Sequence, residues 1–88
     1  MTPEQLINKA HEVITRRKGK EYAPNVHEIG QEIDKICARL WYEQRGFTIF
    51  DAGDETFEIM IEGYSIEISE SELKYRADLW KEENEGNH

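Results

Sequence analysis

Eighty-eight residues, 34% of them charged and with a formal net charge of −8, leave room for one small core. The lone cysteine, Cys37, excludes an internal disulfide and a multi-cysteine zinc site. No apolar run approaches the roughly 20 residues needed to cross a bilayer, and MTPEQLINKAHEV lacks the order of a secretory signal, so a cytoplasmic protein with no membrane partner is expected.

The first helix opens at Thr2-Pro3-Glu4-Gln5, where Thr2 caps, Pro3 suits the first turn and Gln5 completes a capping box. Leu6, Ile7, Ala10, Val13 and Ile14 recur at helical spacing. Arg16, Arg17 and Lys18 complement the negative end of the dipole before Gly19. A second helix starts at Asn25, with Glu28 three residues on. It carries an apolar stripe through Val26, Ile29, Ile33, Ile36, Cys37, Leu40 and Trp41, and ends at Gly46. Gly30 lies near that stripe and suggests a close approach by another element.

The period then changes from 3.6 to 2. Phe47 to Phe50 reads as a strand, followed by a three-residue loop at Ala52-Gly53-Asp54 that sets Ile49 opposite Phe57 and Phe47 opposite Ile59. A two-residue turn at Glu62-Gly63 sets Ile61 opposite Tyr64, Ile59 opposite Ile66 and Phe57 opposite Ile68, all on one inner face for the helices to cover. Ser69 and Glu72 form a capping box for a third helix, with Leu73, Ala77 and Trp80 on its apolar stripe. The expectation is an α+β fold of order ααβββα: two N-terminal helices, a three-stranded antiparallel meander and a C-terminal helix. Residues 1–80 form one domain and 81–88 a frayed polar tail.

No Gly-rich phosphate loop, Gly-x-Ser-x-Gly or His-Glu-x-x-His is present, so no catalytic residue, cofactor or metal ligand is assigned and a non-enzymatic protein is expected. His11 and His27 fall on different helices, where solvated side chains are the simpler reading than a metal pair with Glu28 or Glu32. Cys37, within an apolar stripe, reads as a core thiol. Asp51, Asp54 and Glu55 surround Gly53, but the ligand order of a calcium loop is missing. The run Arg16-Arg17-Lys18-Gly19-Lys20 has its explanation in the helix end.

Charge placement is the informative feature. Residues 1–50 hold eight Lys/Arg and seven Asp/Glu, a net of +1, whereas residues 51–88 hold three and twelve, a net of −9. Such a second half argues against direct binding to nucleic acid or anionic membrane. Glu58, Glu62 and Glu67 share the outer face of the meander, Asp51, Asp54 and Glu55 crowd the adjoining turn, and Glu70 follows. Phe50 and Met60 point the same way and resemble an apolar anchor inside a charged rim. The expected partner is a protein with a Lys/Arg-rich, nucleic-acid-binding site, which these carboxylates occupy as phosphate mimics. In size and charge alone the chain resembles phage-encoded inhibitors of host nucleic-acid enzymes, such as anti-CRISPR and anti-restriction proteins; no sequence motif supports that likeness. A homodimer built on the second helix around Trp41 and Tyr42 is the competing expectation, and a small metal-binding protein or enzyme the third.

Overall fold

The computed structural model describes residues 1–51 and 57–85; the side chains of Asp51 and Glu85 also lie outside the description. The chain is α+β, in the order α1 (Pro3–Lys18), α2 (Val26–Gln44), β1 (Ile49–Asp51), β2 (Phe57–Ile61), β3 (Tyr64–Glu67) and α3 (Glu70–Glu85). The strands form an antiparallel sheet in the order β1-β2-β3.

Both N-terminal helices begin on complete capping boxes, Thr2 with Gln5 and Asn25 with Glu28. These satisfy amide groups that the first turn leaves without partners. The end of α2 is equally defined. Gly46 takes φ 85, its N–H donates to Glu43, and the Phe47 N–H donates to Tyr42. That is a Schellman motif, and its usual apolar clasp is present as an edge-to-face pair, Tyr42 on Phe47 at 5.4 Å. The motif reverses the chain and delivers it into β1.

Ser69 opens α3 with its Oγ accepting from the Glu72 N–H. The Glu72 carboxylate does not complete the box; it accepts from Arg76 Nε at 2.7 Å instead. The helix continues to Glu85, so the frayed tail expected from residue 81 does not hold for residues 81–85. Lys81 reaches Asp34 of α2 at 2.6 Å, Glu83 pairs with Arg45, and the Asn84 side chain donates to the Trp80 carbonyl. Burial works against the Lys81 charge, but the bond to Asp34 outweighs it and leaves the amine above its usual pKa.

α2 is central and packs on both α1 and α3. Ala38 of α2 and Ala77 of α3 are fully buried, and side chains this small let the two helices approach closely. Around them the core gathers Leu6, Cys37, Tyr42, Phe57, Ile59, Ile68 and Trp80. Tyr42 joins helices to sheet: its ring meets Trp41, Phe47 and Phe57 edge-on at 5.1, 5.4 and 6.2 Å. Cys37 is a buried core thiol. Val26 stands exposed, outside the stripe, because it occupies the first helical position. Gly30 is open to solvent and faces no other element.

The β2–β3 hairpin has the expected register, Ile61 on Tyr64 and Ile59 on Ile66. The turn puts Glu62 at φ 50 and Gly63 at φ 87, a conformation that suits the right-handed twist of a hairpin. The β1–β2 pairing differs from expectation. Ile49 faces Ile59 rather than Phe57, and Asp51 faces Phe57. The shift is two residues, so every side chain keeps its face, as a shift of one would not allow. The expected loop at Ala52-Gly53-Asp54 lies outside the described residues.

Tyr42 yields the first prediction. Tyr42→Ala removes the ring from three aromatic contacts and should destabilise the fold by about 3–5 kcal/mol, whereas Tyr42→Phe keeps the packing and should cost about 1 kcal/mol, both read from urea unfolding. A second concerns pH. The Tyr22 hydroxyl donates to the Glu28 carboxylate at 2.6 Å and holds its pKa below the usual value, helped by the Asn25 N–H, Lys18 and Arg17 against the opposing effect of burial. A folded-state pKa below the unfolded one stabilises the fold above the unfolded value, and that stability is lost as pH falls through the folded value. Tyr22→Phe should therefore raise the Glu28 midpoint in an NMR titration. The stability gap between the two proteins at neutral pH should close below about pH 4.

Candidate functional site

Alternation along the strands gives the sheet two unlike faces. The outer face carries Phe50, Glu58, Met60, Ser65 and Glu67, because their neighbours Ile49, Phe57, Ile59 and Ile66 lie on the inner one. One row crosses all three strands: Phe50 faces Glu58, and Glu58 directly faces Glu67. The row behind it pairs Met60 with Ser65.

Hydrogen bonding sharpens this geometry. The Ile68 N–H donates to Phe57 and the Met60 N–H donates to Thr48. In an antiparallel ladder bonded and non-bonded pairs alternate, so Glu58 and Glu67 form a non-hydrogen-bonded pair, the type in which facing side chains lie closest. Two carboxylates in that relation repel by about 0.2–1 kcal/mol. Among the described residues, no ion pair reaches Glu58, Glu62, Glu67 or Glu70.

The five arginines and Lys81 are engaged elsewhere. Arg16 pairs with Glu12, Arg17 with Glu32, Arg39 with Glu43, Arg45 with Glu83, Arg76 with Glu72 and Lys81 with Asp34, all within or between helices. These ion pairs lie among the helices and leave the acids of the hairpin unmatched among the described residues.

Of the sequence-predicted site residues, the sheet brings together Phe50, Glu58, Met60 and Glu67. Phe50 is 42% exposed and Met60 is half-buried. Glu62 sits in the hairpin turn and Glu70 at the start of α3, both exposed. Asp54, Glu55 and the side chain of Asp51 lie outside the described residues.

Sequence reasoning missed the incomplete cover of the inner face. Phe57, Ile59 and Ile68 are buried, but Ile61, Ile66 and Tyr64 are 38%, 44% and 75% exposed. The helices reach only the end of the hairpin away from its turn. An apolar groove remains between Ile61, Ile66 and Trp41, with Glu67, Glu72 and Arg76 at its rim. The shortage of large apolar residues in α3 is a signal that could have revealed it, since only Leu73, Tyr75, Leu79 and Trp80 accompany Ala77 there, and Tyr75 is exposed.

At that rim, the Tyr42 hydroxyl lies 3.3 Å from Arg76 Nε and 3.4 Å from a Glu72 oxygen. Burial, aided by the Glu72 charge, pushes its pKa up against the opposing pull of Arg76. The guanidinium groups of Arg45 and Arg76 lie over the Trp41 ring, 3.9 and 4.4 Å from its centroid. Tyr42 itself is 3% exposed. The dimer surface expected on helix two around Trp41 and Tyr42 is thus core on one side and covered by arginine on the other.

His11 and His27 are exposed on α1 and α2, Glu28 is held by Tyr22 and Glu32 by Arg17. Among the described residues, no three His, Cys, Asp or Glu side chains gather as a metal site would require, and no helix is long and apolar enough to cross a membrane. No protein-family model, curated protein or solved structure matches the chain.

The like-charged pair carries a prediction. Glu67→Lys turns a repulsive cross-strand pair into an attractive one and should raise stability by about 1 kcal/mol at low salt, measured by urea unfolding. The gain should largely vanish near 1 M salt, where the screening length falls to about 3 Å.

Proposed function

We propose that this chain is a non-enzymatic binding protein whose acidic sheet face occupies a Lys/Arg-rich site on a partner protein, a site that otherwise holds nucleic acid. One observation carries the reading: Glu58 and Glu67 face each other at the closest cross-strand spacing, without a compensating cation among the described residues. Such a pair opposes folding, and its retention is explained by a use outside the fold. Phe50 and Met60 beside it supply apolar contact area within a polar rim. The role that follows is inhibitor or regulator, acting by occupancy: the carboxylates stand where phosphates would, and steer association at low salt.

The test uses a Lys/Arg-rich protein retained from a lysate at low salt. The captured partner should leave as salt rises and should be displaced by a single- or double-stranded oligonucleotide. The double variant Glu58→Lys, Glu62→Lys should fail to retain it while remaining folded by circular dichroism. Retention by that variant, or indifference to the oligonucleotide, rules the reading out.

A further inference from the structure

We infer that β3 is an open docking edge, and that its occupant is an extended segment of the partner in which basic and apolar residues alternate. This rests on the acidic-face reading and specifies the form of its partner. Three observations lead to it.

β3 is the last strand of the sheet, and all four of its residues are exposed. The Ile68 N–H donates to Phe57, so by alternation Ile66 and Tyr64 also bond to β2. The backbone groups of Ser65 and Glu67 therefore point away from the sheet. They are free to pair with a strand lying about 4.8 Å away. Tyr64-Ser65-Ile66-Glu67 holds no proline, no lysine and no bulge in its register; its protection is its shortness and the Glu67 charge, which repels an acidic strand and attracts a basic one.

The two sides of that edge differ in chemistry. Ile66 lines the exposed apolar groove, and Tyr64 stands exposed on the same inner face. Ser65 and Glu67 lie on the outer face, with Glu58 behind Glu67. An added strand alternates in the same way, so one set of its side chains enters the groove and the other stands beside the carboxylates. Apolar residues satisfy the first set and lysine or arginine the second.

Charge also decides against a second copy of this chain. Edge-to-edge pairing of two β3 strands would merge two outer faces, each with Glu58 and Glu67 without an ion pair among the described residues, between molecules of formal charge −8. A basic strand meets attraction at the same positions.

The test uses labelled peptides of about eight residues with the full chain. One alternates Lys and Val, one Lys and Ser, one Glu and Val. By fluorescence anisotropy at about 0.15 M salt, the Lys-Val peptide should bind at least roughly tenfold more tightly than the other two. Its binding should slow amide exchange at Ser65 and Glu67. Ser65→Pro removes an N–H that β2 does not use, so the fold should survive while Lys-Val affinity falls to the Lys-Ser level.

Equal affinity for Lys-Val and Lys-Ser overturns the inference, as does full Lys-Val binding by folded Ser65→Pro. Should that variant misfold, unchanged exchange at Ser65 and Glu67 in the wild-type complex overturns it instead. Self-association in sedimentation that the Lys-Val peptide does not relieve assigns the edge to a second copy and also overturns it. If both basic peptides bind equally and Glu58→Lys, Glu62→Lys weakens both, the acidic-face reading survives alone. If neither basic peptide binds better than Glu-Val, both readings fail.

Discussion

The buried ring of Tyr42 is the contact on which the arrangement of helices and sheet depends. It belongs at once to the last turn of α2, to the cap that ends it and to the core under the sheet. Its carbonyl accepts the Phe47 N–H, its ring packs edge-on against Phe47 and Phe57, and its hydroxyl meets Arg76 and Glu72 of α3. One side chain thus fixes where α2 stops, where the sheet begins and how α3 lies against both. In a chain this short few residues can serve three elements, and packing of this kind supplies much of the available stability.

Charge is partitioned as firmly as the core. Ion pairs tie Arg17 to Glu32, Lys81 to Asp34 and Arg45 to Glu83, joining α1 to α2 and α2 to α3. The more exposed Arg45–Glu83 pair contributes little to stability, whereas buried Glu32 depends on Arg17 to offset the cost of burying its charge. Together the three pairs occupy Arg17, Lys81 and Arg45. The hairpin, with Glu58, Glu62 and Glu67, keeps its negative field, and the apolar groove beside it remains uncovered. An acidic face and an exposed apolar strand edge on the same hairpin make it the part of the molecule suited to meeting another protein.

Most of the architecture was legible because its signals are local. Capping boxes at Thr2 and Asn25, alternation from Phe57 to Ile68 and the Glu62-Gly63 turn each depend on residues a few positions apart. The β1–β2 register was not, because it depends on the connection at residues 52–56 rather than on alternation, which a two-residue shift leaves intact. The C-terminal turns of α3 were misread for a related reason. Lys81 and Glu83 look solvated in a polar sequence, yet their partners Asp34 and Arg45 come from α2.

By itself the sequence determined which residues form helices and strands, which strand face is acidic and which apolar, and that the negative charge concentrates after residue 50. These follow from side-chain periodicity and composition, which need no knowledge of neighbours. Tertiary structure alone decided that no cation pairs with Glu58 or Glu67 among the described residues, that the arginines are engaged among the helices, and that Ile61, Tyr64 and Ile66 lie open. Each of those facts depends on how far one element reaches over another, and that distance is set by packing around Tyr42, Ala38 and Ala77 rather than by any local pattern.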